Sequence, residues 1–326
     1  AHSGRMSSNT KGLSDFINPL DRRDDHASRH YTAAPTHPAA PAAHRSLLYC
    51  FRIHVSAAPL DLTDIGANLH HDSFDPDRDV VLQRAAAAGV STIVVTGSCL
   101  DSAIGAAEMS GTQHGVELYA TAGLHPHHAS DWNTEMAACF RDLSQHPRVV
   151  SLGECGLDYH RNFSPVTAQK QAFAAQLDLA IETQMPVFLH QRDAHADFLS
   201  ILREYRPQLT AVCVHCFTDT RAAMDAYLDL DCYIGITGWI CDERRGADLV
   251  ETVAHLPSDR LLIETDAPYL LPRNLPRALR KSAGRRNEPA YLPWVRDAIA
   301  EARGAAPESI EARTTANAAR FFGLTL

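Results

Sequence analysis

Long apolar runs are missing from this 326-residue sequence. Spanning a bilayer takes about 18 to 20 consecutive apolar residues, and no segment approaches that length. We therefore expect a soluble protein without a membrane partner.

An excess of positive charge is missing as well, because 39 acidic residues outnumber 30 lysines and arginines and the net charge is −9. This balance argues against a protein that coats nucleic acid nonspecifically, but it is compatible with a nuclease that has a local basic patch.

The eight cysteines are too few and too scattered for a disulfide scaffold. We expect free thiols in a reducing compartment, and we predict a cytoplasmic location. A zinc site at Cys213 and Cys216 is not expected, because the two side chains would face opposite sides of a strand and no second pair follows.

The first 59 residues differ in composition from the rest of the chain. They are rich in serine, alanine, proline, histidine and arginine, and stretches such as YTAAPTHPAAPAAHR have no sustained apolar period. We predict that residues 1–59 are a disordered extension and that residues 60–326 form the folded domain. Arg52 and His54 interrupt the one apolar segment of the extension, which argues against a signal peptide. An organelle-targeting role stays open, although four aspartates in the extension argue against it.

From Leu60 onward, short apolar runs alternate with amphipathic helical stretches. This alternation is typical of strand–helix units with a parallel sheet. Eight units can be counted, from LTDIGA at residue 62 to LLIETD at residue 261, and eight is the number in a TIM (β/α)8 barrel. An open doubly wound sheet is the competing fold, but the glycine fingerprint that would open its first helix is missing. We therefore predict an α/β fold of the TIM-barrel class.

Chemically capable side chains follow most of the predicted strands. They are Asp64 and Asn68, His125 and His127, Glu154 and Asp158, His190 and Arg192, His215, and Glu264 and Asp266. Each alone has an ordinary explanation, since a strand-terminal histidine is usually structural and an aspartate there often caps a helix or forms a turn. In a TIM barrel, however, the carboxyl ends of all strands meet at one face, where catalytic groups stand. The coincidence of carboxylates and imidazoles at that face predicts a site for a divalent metal ion.

The motifs at these strand ends resemble those of the TatD family of metal-dependent deoxyribonucleases, which are TIM-barrel hydrolases. The resemblance covers residues 64–326, and its motifs are TAGLHPHHASDW, GECGLDYHRNF, PVFLHQRDAH, HCFT, YIGITGW, CDERRG, LLIETDAPYLLPR and RRNEP. Several of these motifs are most similar to the bacterial branch of the family. The resemblance implies the following roles: metal ligands at Glu154, His190 and His215; an aspartate that touches metal and attacking water at Asp266; a substrate-side catalytic histidine at His125.

The chain departs from the family pattern at two places. Many relatives have two histidines in the first strand, within D-x-H-x-H-L, where this chain has Gly66 and Asn68 in DIGANL. The bacterial branch also lacks the pair, and its loss argues against a tightly held second metal ion. Asp219 stands where glycine is usual, directly after HCFT.

A metal-activated water suits phosphodiester hydrolysis, because the cation neutralises phosphate charge and lowers the pKa of bound water. We expect Mg²⁺, with Mn²⁺ and Zn²⁺ as alternatives. Asp266 would orient or deprotonate the water, with Glu154 and His125 as its catalytic partners. The expected substrate-binding residues are His127, Asp158, Arg192, Arg285 and Arg286, the last two from the arginine-rich segment PRNLPRALRKSAGRRNEP. The candidates for base stacking are Tyr159, Phe217, Trp239 and Tyr269, and at least half of them are expected to pack in the core instead.

The predicted function is a metal-dependent nuclease, a monomeric 3′–5′ exonuclease on single-stranded DNA, with RNA as a second candidate substrate. Two alternatives stay open. The first is a barrel hydrolase of an aminoacyl-tRNA or of a small amide or ester, since the same metal-bound water serves those reactions. The second is a binding protein that has lost catalysis, against which the intact set of metal ligands argues.

Overall fold

The structure, a computed structural model, describes residues 61–325. The predicted extension at residues 1–59 lies outside the described residues, so its disorder stays a prediction. Within residues 61–325, no helix is both long enough and apolar enough to cross a membrane.

Parallel strands form a barrel in residues 61–325. The strands are β1 Leu62–Ala67, β2 Val90–Val95, β3 Gly111–Gln113, β4 Val116–Ala122, β5 Val149–Asp158, β6 Val187–Arg192, β7 Val212–Val214, β8 Tyr233–Ile236 and β9 Leu261–Ile263. Eight of them follow one another around the sheet in chain order, and the short β3 is an antiparallel partner of β4 outside this path. A parallel bridge joins Ala67, at the end of the first strand, to Ala267, in the segment that follows the last strand. The predicted TIM barrel is confirmed.

Helices surround the barrel on its outside and at its amino-terminal end. They are α1 Arg78–Ala87, α2 Leu100–Met109, α3 Thr134–Leu143, α4 Val166–Thr183, α5 His195–Tyr205, α6 Arg221–Leu228, α7 Ala247–Ala254, α8 Arg277–Ala283, α9 Leu292–Arg303 and α10 Pro307–Phe322. Local sequence explains several of their ends. Asn133 accepts a hydrogen bond from the Met136 amide and begins α3, and Gly323 with φ of 68° ends α10.

The inside of the barrel is filled by one apolar layer. Its members are Ile65, Val94, Val150, Phe188, Cys213, Tyr233 and Leu262 from seven strands, with Phe321 and Phe322 from α10. The Phe321 ring lies 5.3 Å from the ring of Tyr233, the first residue of β8, so α10 closes the amino-terminal end of the barrel. The opposite end, where the strands reach their carboxyl termini, remains for polar side chains.

Candidate active site

Glu154, in β5, is the centre of the polar cluster at the carboxyl ends of the strands. It is buried, and three imidazoles converge on its Oε1 atom. His215 Nε2 lies 2.8 Å away, His190 Nδ1 3.0 Å and His125 Nε2 3.3 Å. The sequence-predicted residues Glu154, His125, His190 and His215 are therefore brought together, each from a different strand or strand-end loop.

The close spacing of β5 and β6 delivers Glu154 and His190 side by side. Gly156 lies opposite His190 in the parallel register, and its φ is 143°. A Cβ atom at this position would clash with the His190 carbonyl oxygen, so only glycine lets the two strands approach here. This close approach explains why glycine follows the carboxylate in the GECG motif.

The donor set fits a divalent cation. One ligand atom each from His125, Glu154 and His190 lie within 4.8 Å of one another. His190 Nε2 is buried and has no hydrogen-bond partner among the described residues, an arrangement that is costly unless something else binds it. Carboxylate oxygen and imidazole nitrogen are suitable ligands for Mg²⁺, Mn²⁺ or Zn²⁺, and the arrangement does not single out one ion.

Burial and the charges of neighbouring side chains shift the pKa values of the residues in this cluster. Burial lowers the pKa of His125 to about 4. Burial alone would raise the pKa of Glu154, but the neighbouring His125 and His215 outweigh it and hold the pKa well below its usual range. Burial alone would lower the pKa of His215, but the charges of Glu154 and Glu264 raise it well above its usual range. A cation would take the place of protons in such a cluster, because metal ligands bind in their deprotonated forms.

Glu264 contacts the nitrogen of His215 that does not face Glu154. Its Oε2 lies 3.3 Å from His215 Nδ1, and its Oε1 accepts a hydrogen bond of 2.6 Å from the Cys216 amide. The carboxylate is fully buried, and its room comes from two glycines. A Cβ at Gly66 would lie 2.5 Å from Glu264 Oε2, and one at Gly235 would lie 2.6 Å from Oε1. The glycine that replaces the first family histidine is thus the residue that makes space for Glu264.

Asp266, after β9, borders the same cluster. Its Oδ1 accepts a hydrogen bond of 3.1 Å from the Asn68 side chain. Burial raises its pKa to about 8, and the charges of His215, Glu154 and Glu264 also act on it. Asp266 is not part of the tight group of His125, Glu154 and His190, although it lies within reach of their charges. Asn68, which occupies the second family histidine position, orients this aspartate.

Asp158 and His127 form a pair beside the cluster. His127 Nε2 lies 2.8 Å from Asp158 Oδ2, and the Arg161 amide donates to Asp158 Oδ1 at 2.8 Å. Burial alone would raise the pKa of Asp158, but the hydrogen bond from His127 and the nearby imidazole of His190, whose Nε2 lies 3.6 Å from Asp158 Oδ2, outweigh it and hold the pKa well below its usual range. Both carboxylate oxygens of Asp158 thus have partners within the protein, and Asp158 orients His127. The contact of Asp158 with substrate stays a prediction.

The predicted substrate-binding arginines have different surroundings. Arg286 binds both oxygens of Asp77, at 2.7 and 2.8 Å, and donates to the Ser73 carbonyl. Arg285 is exposed, and in residues 61–325 neither it nor Arg192 forms an ion pair. Arg286 therefore has a structural contact, and phosphate binding by Arg192 and Arg285 stays a prediction.

The aromatic residues that the sequence suggested for stacking also have different surroundings. Phe217 is buried, Tyr159 donates its hydroxyl to Asp197 at 2.7 Å, and Trp239 lies 4.3 Å from the guanidinium of Arg245. Tyr269 is exposed. The sequence analysis overlooked Phe163, which is also exposed and lies beside His127, although it is the final residue of the GECGLDYHRNF motif.

A parallel (β/α)8 barrel with a buried carboxylate and several imidazoles at the carboxyl ends of its strands is the architecture of a metal-dependent hydrolase. Comparison with known proteins gives the family. Residues 63–323 match the model of the TatD related DNase family. The chain belongs to this family, and the resemblance predicted from its motifs is confirmed.

Individual relatives agree with the family assignment. The chain is 49% identical over 263 residues to the 3′-5′ ssDNA/RNA exonuclease TatD of Citrobacter rodentium, an alignment that covers 81% of this chain and 98% of the relative. Among solved structures, the TatD homologue YjjV from Escherichia coli K12 is similar with a TM-score of 0.73 and 25% identity, over 81% of this chain and 98% of that one. A TatD family hydrolase from Entamoeba histolytica gives a TM-score of 0.72 at 25% identity, over 81% and 98%.

Proposed function

We propose that this protein is a 3′–5′ exonuclease that hydrolyses phosphodiester bonds of single-stranded DNA and RNA. The observation that carries the proposal is the convergence of His125, His190 and His215 on the buried Glu154. The proposal is supported by the 49% identity to a relative that is named as such an exonuclease. The rival activities on aminoacyl-tRNA or small amides and esters have no comparable support.

Glu154, His190 and His215, together with His125, would hold the cation, and Asp266 would lie at the border. When bound, the ion would neutralise phosphate charge and acidify a water molecule. Asp266, oriented by Asn68, would position the attacking water, and it would accept the proton of that water once the charge of the bound cation has lowered its raised pKa. His127, Arg192 and Arg285 would bind the phosphates of the strand.

We propose Mg²⁺ as the physiological ion, with Mn²⁺ and Zn²⁺ as alternatives, and a monomer that acts in the cytoplasm. The cellular location is supported by the cysteines at positions 99, 139, 155, 213, 216, 232 and 241, which are all free thiols. Free thiols at this density are expected in a reducing compartment.

The activity is tested with metal-stripped protein on single-stranded DNA that carries a label at its 5′ end. Mg²⁺, Mn²⁺ or Zn²⁺ is restored separately, and products are separated on a denaturing gel. We expect a metal-dependent ladder that shortens from the 3′ end, and no ladder from the Glu154→Ala variant. Absence of cleavage with every ion would contradict the proposal, and full activity of Glu154→Ala would contradict the assignment of the site.

A further inference from the structure

Two exposed aromatic side chains lie at the mouth of the barrel. Among residues 61–325, the large apolar side chains that are exposed include only two aromatic ones, Phe163 at 53% and Tyr269 at 52% exposure. The remaining exposed ones are aliphatic and belong to helices, at positions 80, 104, 166, 250 and 279. Exposure of aromatic surface is unfavourable in water, so its concentration at a polar mouth points to binding.

Two side chains, those of His127 and His125, lie between Phe163 and the carboxylate of Glu154. Its ring centroid lies 4.7 Å from that of His127, and the His127 ring lies 4.2 Å from that of His125. His125 Nε2 is in turn 3.3 Å from Glu154 Oε1. Phe163 lies in the loop between the end of β5 at Asp158 and the start of α4 at Val166.

Tyr269 borders the other predicted catalytic carboxylate. Its amide donates to the Asp266 carbonyl at 2.9 Å, and its ring packs edge to face on His71 at 5.8 Å. Tyr269 follows β9, the eighth strand around the barrel, whereas Phe163 follows β5, the fourth. Because the barrel is circular, positions four and eight of eight are opposite one another, so the two aromatic residues follow strands on opposite sides of the barrel.

We infer that Phe163 and Tyr269 are stacking positions for two nucleobases, one on each side of the scissile phosphate. The inference rests on the proposed nuclease function and adds how the single strand is recognised. An aromatic face accepts any base, so this recognition is independent of sequence. Bases in a duplex are stacked on each other and paired, so they cannot reach two rings on opposite sides of a mouth. The pair therefore selects for single strands. Arg277, Arg280, Lys281 and Arg285, which form no ion pair among residues 61–325, provide charge for the backbone beyond Tyr269.

The test uses 5′-labelled oligonucleotides with a single abasic nucleotide, placed either at the 3′ terminus or next to it, and a fully based control. Parent, Phe163→Ala and Tyr269→Ala are compared by kcat/KM with saturating Mg²⁺ or Mn²⁺. Each alanine variant should lose roughly 5- to 150-fold on the fully based strand, the value of one stacked base. Each should also become insensitive to an abasic nucleotide at one of the two positions while it keeps the parent's sensitivity at the other.

Four controls separate stacking from structural damage. Phe163→Trp should restore activity, whereas Phe163→Leu, which is apolar but has no aromatic face, should not. Val250→Ala, a truncation of an exposed side chain in α7, should behave as the parent does. Mn²⁺ affinity, measured by calorimetry, should be unchanged in both alanine variants.

The outcomes distinguish the inference from the function on which it rests. If the parent degrades single strands but shows no abasic penalty, or if both variants keep the full penalty at both positions, the stacking inference is wrong and the exonuclease proposal stands. If the parent degrades no single strand, the proposed function itself fails.

Discussion

At the scale of single residues, Glu264 shows how a buried side chain without a substrate contact can control a site. It uses its two oxygens for different partners, His215 Nδ1 and the Cys216 amide. A histidine whose second nitrogen is hydrogen-bonded presents its first nitrogen in a fixed direction and tautomer. Gly66 and Gly235 make this arrangement sterically possible.

We expect Glu264→Gln to weaken Mn²⁺ binding by about 10- to 100-fold, because glutamine has one acceptor oxygen where the carboxylate uses two. Calorimetric titration of the metal-stripped variant measures the affinity. Glu311→Gln is the matched control, since Glu311 also uses both oxygens, for the Asp61 amide and Arg296, at the far end of the barrel. Equal affinity of Glu264→Gln and the parent would contradict the positioning role.

Phe163 and Glu264 also show what sequence reasoning misses at this scale. The sequence does not distinguish an aromatic residue that packs in the core, such as Phe217, from one that lies exposed, such as Phe163. Glu264 was recognised as a strand-end carboxylate, but its role depends on the orientation of His215, which belongs to another strand. Neither property is encoded in local sequence.

At the scale of elements, the pairing of β5 with β6 carries the catalytic geometry. Gly156 has both a positive φ, 143°, and a close carbonyl neighbour, His190. Gly111, at the start of β3, has a similar φ of 133° but nothing within 4 Å of where a Cβ would be. An alanine at position 111 would therefore have only backbone strain, whereas an alanine at position 156 would have both backbone strain and a steric clash.

We expect Gly111→Ala to lower the free energy of unfolding by about 1 to 3 kcal/mol, the cost of an unfavourable backbone conformation. Gly156→Ala should lose about 1 to 3 kcal/mol more, because the added methyl also pushes β6 away from β5. Urea denaturation measures both changes. Similar losses for the two variants would show that the close approach of the strands contributes nothing beyond strain.

At the scale of the whole molecule, an acidic chain with a net charge of −9 must bind an anionic polymer. Long-range attraction is weak for such a protein, so binding depends on where its cations lie. Arg285 and Arg286 are adjacent in sequence, yet Arg286 is neutralised by Asp77 and Arg285 forms no ion pair among residues 61–325. Their sequence context made them equal candidates, and only the fold distinguishes them.

We predict that Arg285→Ala weakens binding of a single-stranded oligonucleotide and reduces the slope of log K against log salt by about 0.7, the value for one phosphate contact. Arg286→Ala should leave that slope unchanged and lower the free energy of unfolding by about 1 kcal/mol. Both are measured in a Glu154→Ala background, by fluorescence anisotropy and by thermal denaturation. Equal salt slopes for the two variants would contradict the assignment.

The sequence by itself determined the barrel and the chemical character of its mouth. Alternating apolar and amphipathic segments require buried parallel strands with helices outside, and parallel strands in a closed barrel bring their carboxyl ends to one face. That logic was sufficient to predict that Glu154, His125, His190 and His215 would meet. It depends on periodicity and chain direction, both of which can be read along a single chain.

Only the tertiary structure decided which groups touch. The contact of Glu264 with His215, the pairing of Asp158 with His127 and the packing of Phe163 on His127 each join residues from different strand ends. Such contacts depend on register, side-chain direction and the space left by glycines in neighbouring strands. These quantities are fixed by the packing of the whole barrel, which no segment of the sequence specifies on its own.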